Sequence, residues 1–149
     1  MEADALTYED TQVLSATCLC ANVQRAARSI GRHFDEAFRP LDLTNWQFTL
    51  MVASNRPDSP TISALAVDLT TDRTTITANL KPFQRRALVT VAQDKRDRRV
   101  RRATLTPAGN NLLRDGYGIW KRVHAAVELS LGATDIERLH ANLRAVIDV

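Results

Sequence analysis

The stretch Thr71-Asp72-Arg73-Thr74-Thr75-Ile76-Thr77-Ala78-Asn79-Leu80-Lys81-Pro82-Phe83-Gln84-Arg85-Arg86-Ala87-Leu88-Val89-Thr90-Val91-Ala92, continued by Gln93-Asp94-Lys95-Arg96-Asp97-Arg98-Arg99-Val100-Arg101-Arg102, decides the fold. Its first part has helical spacing, with Ile76, Leu80, Phe83 and Ala87 within about 40° of one direction at about 100° per residue. The opposite face presents Thr74, Ala78, Lys81 and Arg85, flanked by Arg73, Thr75 and Thr77. Pro82 has no N–H to give the carbonyl of Ala78, which predicts a bend or an early loosening of the last turn. From Leu88 the period falls from about 3.6 to about 2. Residues 88–92 read as a strand, 93–99 as a polar tip and 100–106 as the returning strand.

Just upstream, Ile62, Leu65, Ala66 and Leu69 mark a short helix that starts after Thr61 and is interrupted by Thr70-Thr71-Asp72. Two short helices joined by a tight turn, the second exposing small polar and basic residues, are the ingredients of a helix-turn-helix whose second helix enters a major groove. The charged hairpin that follows makes the unit a winged helix. Between Thr71 and Arg102 ten Lys/Arg stand against three acids, a local net of +7 in a chain whose total is +3. A basic block on an otherwise acidic body is the footprint of a polyanion-binding surface.

Outward from this unit, Leu43-Thr44-Asn45-Trp46-Gln47-Phe48 carries a capping box on Thr44 and Gln47, with Leu43 and Phe48 placed for a hydrophobic staple. Asn55-Arg56-Pro57-Asp58-Ser59-Pro60 ends the helix that follows and forms a loop. Residues 11–38 form one amphipathic segment through Leu19, Val23, Ala26, Ile30, Phe34 and Ala37. Thr106-Pro107 opens a long helix that runs toward Gly132, and Thr134-Asp135-Ile136-Glu137 reads as a capping box for the last one. The expectation is six helices and one hairpin: mainly α with a small β wing, an α+β winged helix-turn-helix flanked by N- and C-terminal helices.

Asp72-Arg73-Thr74-Thr75-Ile76-Thr77, Leu80 to Leu88-Val89, Asp94-Lys95-Arg96-Asp97-Arg98-Arg99 and Leu105-Thr106-Pro107-Ala108-Gly109 together resemble the MarR-type winged-helix transcriptional regulators, in order and at the family's spacing. The resemblance covers nearly all of 1–149. It implies a winged part at 44–105 and helical dimerisation parts at 11–38 and 107–149. It also implies a homodimer that binds a pseudo-palindromic site in double-stranded DNA, most often as a repressor. Carried over, Arg73, Thr74, Thr75, Thr77 and Ala78 face base edges or nearby phosphates, while Lys81 and Arg85 hold phosphates. In the wing, Lys95, Arg96, Arg98 and Arg99 are the DNA-binding candidates, with Arg96 or Arg98 for the minor groove. Asp97 pairs with Arg99. The family's pocket for small lipophilic or aromatic effectors would be lined here by Arg28, Arg32, His33, Phe34, Trp46 and Phe48.

Other sites carry less. Cys18 and Cys20 sit two residues apart on a segment read as helix, which directs their sulfurs apart and favours buried structural cysteines. Redox sensing through either cysteine is the alternative. A helical interaction protein whose basic hairpin only solubilises it is another. His33, His124 and His140 have no metal-ligand spacing, and no phosphate loop or serine elbow occurs, so no enzyme, cofactor or metal is expected. With 149 residues, 44% hydrophobic and 25% charged, the chain has the composition of one soluble globular domain. No apolar run is long enough to span a membrane, and Met1-Glu2-Ala3-Asp4 is acidic where a secretory signal is basic, so a cytoplasmic chain is expected.

Overall fold

The computed structural model describes residues 5–147, so the acidic start at 1–4 and the end of the expected C-terminal helical part at 148–149 lie outside the described residues. The elements run α1 (Tyr8–Thr17), α2 (Leu19–Phe38), a 3-10 turn (Arg39–Leu41), α3 (Asn45–Ser54), α4 (Ile62–Asp68), α5 (Arg73–Arg85), β1 (Val89–Gln93), β2 (Arg101–Leu105), α6 (Pro107–Ser130) and α7 (Ile136–Ile147). The mainly helical winged fold is as expected, with one correction. The segment expected as a single helix over 11–38 is two helices, broken at Cys18 (φ −64°, ψ 108°). Asn22 supplies the physical reason. Its side-chain amide donates to the carbonyls of Ala16 and Cys18, each at 3.0 Å, and so satisfies at Ala16 the acceptor that the Cys20 amide would use in a continuous helix.

The start signals on the other helices act locally. Thr44 and Gln47 form the reciprocal capping box of α3, with Thr44 N–H donating to Gln47 Oε1 at 2.9 Å and Gln47 N–H to Thr44 Oγ1 at 3.2 Å. Thr61 caps α4 through the amide of Ala64, and Thr106 caps α6 through that of Gly109 with Pro107 in the first turn. At α7 the expected cap moves by one residue. Asp135, not Thr134, accepts from the amide of Arg138 at 2.9 Å, while Thr134 Oγ1 donates back to the carbonyl of Leu131.

The core gathers around α5. Phe38, Leu50, Met51, Leu65, Ile76, Leu80 and Phe83 are fully buried, and Phe38 stacks on Phe48 with ring centroids 4.6 Å apart. The hairpin closes over this core in antiparallel register, Val89 opposite Leu105 and Val91 opposite Ala103. Ala103 N–H donates to the carbonyl of Pro60 at 3.0 Å, so the loop before α4 lies along the outer edge of β2. Pro82 stays within α5, but the helix ends three residues later and Ala87 turns the chain at φ +54°. Early termination is thus the form taken by the expected loosening. Arg86 fastens this end of α5 to the connection after α2, donating to the carbonyls of Asp42 (2.7 Å) and Leu41 (3.2 Å).

The terminal helices behave differently. α1 and α7 bury no residue, and α6 buries only Gly109, Leu113 and Gly116 near its start. Tyr8, Val13, Leu14, Leu129, Val146 and Ile147 are all exposed large apolar residues.

Candidate nucleic-acid interface

α5 rests on the core through Ile76, Leu80 and Phe83, each at most 1% exposed, and that contact fixes what its other face presents. Arg73, Thr74, Thr77, Ala78, Lys81 and Arg85 are all exposed. Asp72 holds the start of the helix, accepting from the Thr75 amide and hydroxyl, each at 2.7 Å. The Thr75 hydroxyl bond, then its amide bond, keeps the Asp72 carboxyl below its ordinary range. Thr75, expected on the outward face, is half-buried with its hydroxyl donated to this cap. The Thr77 hydroxyl donates to the carbonyl of Arg73 at 2.8 Å.

An open groove of about 750 Å³ lies between α5, the start of α4 and the hairpin. It brings together Arg73, Thr74, Thr77, Ala78 and Lys81 with Arg99 of the wing. Arg85 lies beyond it on the same helix, and Lys95, Arg96 and Arg98 stand exposed on the tip. Arg101, Thr61 and Ser63 also line the groove and were missed by the sequence reading. Strand alternation points to Arg101, since Ala103 and Leu105 on the same side of β2 are buried and only the strand's end leaves the core.

The tip is ordered by its own acids. Asp97 accepts from the Arg99 amide at 3.0 Å and from the Arg99 guanidinium at 3.3 and 3.4 Å, the pair expected from the family pattern. Asp94 accepts from the amides of Arg96 (2.7 Å) and Asp97 (3.0 Å) and from Nε of Arg102. Its carboxyl is lowered to about 2, first by the Arg102 hydrogen bond and then by the two amides. Among the described residues Arg73, Lys81, Arg85, Lys95, Arg96, Arg98 and Arg101 form no ion pair. Their charge is therefore available to an outside anion.

The six effector-pocket candidates are not brought together. Phe34 and Phe48 belong to the core at 7% and 5% exposure, and Trp46 packs against it. His33 lines a groove of about 540 Å³ between α2 and α6, while Arg28 and Arg32 border a separate shallow surface with Arg25. Cys18 and Cys20 are both exposed, which corrects the expectation of burial: α1 and the start of α2 have no core beneath them. Among the described residues there is no group of three or more His, Cys, Asp or Glu arranged to hold a metal, and no helix is long and apolar enough to cross a membrane.

Comparison with family models and with curated proteins finds no match. Solved structures do match. The transcriptional regulator MosR of M. tuberculosis, in complex with DNA, is 34% identical over 88% of this chain and 94% of its own, with a TM-score of 0.78. A mutant MarR from E. coli complexed with operator DNA superposes at a TM-score of 0.80, with 20% identity over 89% of this chain and 96% of its own. CouR from Rhodococcus jostii RHA1, bound to p-coumaroyl-CoA, superposes at 0.76 with 15% identity, covering 87% and 91%. With a winged helix-turn-helix fold, and 34% identity to a regulator that it matches over 88% of its own length and 94% of the other's, the chain belongs to the MarR family of transcriptional regulators.

Proposed function

We propose that this protein is a sequence-specific DNA-binding regulator that represses transcription as a homodimer. The observation that carries the reading is the convergence of unpaired cations from α5 and the wing on one groove and its rim, on the face of α5 turned away from the core. α5 lies in the major groove. Arg73, Thr74, Thr77 and Ala78 meet base edges, and Lys81, Arg85 and Arg101 meet phosphates. Arg96 or Arg98 enters the flanking minor groove, with Lys95 and Arg99 beside it. Thr75 contributes through the helix cap instead. Residues 44–105 form the DNA-binding part, and 11–38 with 107–149 the dimerisation part, whose exposed apolar side chains a second copy covers.

The test is a fluorescence-anisotropy titration against the intergenic DNA beside the protein's own gene, with a scrambled duplex as control, over a salt series. Tight, salt-steep and sequence-dependent binding is expected. Equal binding to both duplexes at every salt concentration overturns sequence-specific recognition of that DNA. The CouR ligand supports a small-molecule signal for this protein too. An opening of about 330 Å³ lined by Phe48, Thr49, Val52, Tyr117 and Trp120 is the apolar recess into which a small effector would fit. Such a ligand releases DNA only by preferring the DNA-free state.

A second reading is favoured by the break at Cys18, which takes that residue out of helical geometry and leaves both thiols accessible. A two-electron oxidant joins the Cys18 and Cys20 sulfurs with loss of two protons. Diamide then weakens DNA binding, and Cys18→Ser or Cys20→Ser abolishes the response.

A further inference from the structure

Arg102 lies next to the groove-lining Arg101 but on the opposite side of β2. Its guanidinium donates through Nε to Asp94 Oδ2 and through Nη1 to the carbonyl of Ser59 at 2.7 Å. Asp94 follows directly on β1 at the tip end of the ladder, where its Oδ1 takes the amides of Arg96 and Asp97 and its own N–H donates to the carbonyl of Val100 at 2.8 Å. A continuous chain of bonds therefore runs from the wing tip through Asp94 and Arg102 to Ser59, two residues before the cap of α4. Thr104 Oγ1 to Ser59 Oγ at 2.7 Å adds a second tie at the same loop position. The Asp94 side chain is only 14% exposed and that of Arg102 40%, whereas Arg99 on Asp97 is 92% exposed. The Asp97 pair orders the tip alone. The Asp94–Arg102 pair connects the tip to the body.

We propose that Arg102 and Asp94 are positioning residues for DNA recognition, which fix the distance between the wing-tip cations and the exposed face of α5 without touching the nucleic acid. This rests on the DNA-binding reading above. The groove cations come from two elements, a helix held by the core and a hairpin whose tip projects beyond it, so their spacing is only as well defined as the tie between them. Arg102 has committed two of its nitrogens to Asp94 and Ser59, as expected of a brace rather than a phosphate ligand. Asp94 is an acid in the middle of a basic wing. Its presence costs attraction for a polyanion, and holding the wing in place offsets that cost.

That cost gives the test its sign. Asp94→Asn removes a negative charge from the basic wing, so electrostatics alone tightens binding to a polyanion. Positioning predicts the opposite: about five- to tenfold weaker duplex binding near 0.15 M salt, with a salt slope shallower by about one to two units as wing contacts are lost. Arg102→Gln is expected to do the same, and the double variant to be no worse than either single one, because both break one tie. A readout without DNA accompanies it. Trypsin cleavage of the free protein within 95–101 is expected to accelerate in both variants while thermal melting stays parental. Asp94→Asn binding as tightly as the parent or tighter, or an unchanged trypsin rate, overturns the proposal. A parent chain that binds no duplex even at about 50 mM salt overturns the functional reading, and the proposal with it. That outcome is distinct from failure of the brace alone, in which the parent binds and the variants keep its affinity and slope.

Discussion

The winged part and the terminal helices are built from the same kinds of residue and end in opposite states. In the winged part every large apolar side chain on the inner face of α5 is buried, and the caps, the turn and the hairpin all serve that core. In α1 and α7 comparable leucines and valines remain exposed, although those helices are as regular. Amphipathic spacing specifies that a helix has an apolar side; it does not specify that the same chain supplies the cover. The first region is covered by its own chain, including Phe34 and Phe38 of α2 and Leu113 of α6, and the second leaves its apolar side uncovered.

The sharpest way to break this contrast is in the core. Phe38→Ala removes a fully buried ring stacked on Phe48 and is expected to cost about 3–5 kcal/mol in chemical denaturation at any protein concentration. Paired changes of Val146 and Ile147 to Asp act on the other region. They are expected to leave the winged part folded, convert the dimer to monomer by sedimentation and weaken operator binding about 100-fold through lost bivalency. If the variant protein stays dimeric, α7 does not carry the interface. Next in size, Arg98→Ala is expected to reduce the slope of log affinity against log salt by about one unit, with melting unchanged. An unchanged slope removes Arg98 from the phosphate contacts.

A gain of stability is expected from Ala87→Gly, since Ala87 holds φ +54° where glycine pays no steric penalty. Melting should rise by the equivalent of about 1 kcal/mol, and a fall would mean that the alanine methyl has a packing role. The smallest effect concerns acid. The Asp94 carboxyl is lowered from 3.8 to about 2, so its support for the wing is complete above about 4 and is lost as pH falls through about 2. The amide resonances of Arg96 and Asp97 should follow that low midpoint. A midpoint near 3.8 means that the Arg102 bond is not formed in solution.

Most of the winged part was legible because its signals are local. Thr44 with Gln47, Thr106 before Pro107, and the alternation of Val89 and Val91 each state their structure within a few residues. The break at Cys18 was not read, although the apolar stripe begins only at Leu19, because the amide that accompanies it stands four residues further on. Cysteine burial was misjudged from a tendency of the residue type, which fails where no core exists. The effector candidates scattered because Phe34 and Phe48 are used to pack against Phe38. Arg102 was counted only as one more positive charge. Its partner Ser59 is 43 positions away in sequence, and no periodicity relates the two.

Gly109 and Gly116 give α6 a mechanical character. A methyl group at Gly109 would stand 2.1 Å from the carbonyl oxygen of Leu88, and one at Gly116 would meet the Phe48 ring at 2.7 Å. The first turns of the helix are thus clamped against the hairpin and α3, while its 24 residues continue as a rod of about 36 Å into the region of exposed apolar side chains. A tilt of about 10° at the far end swings the clamped end by about 6 Å, close to two nucleotide steps along a strand at about 3.4 Å each. Modest repacking among the distal helices is geared up, by lever arm alone, into a change of register on the double helix.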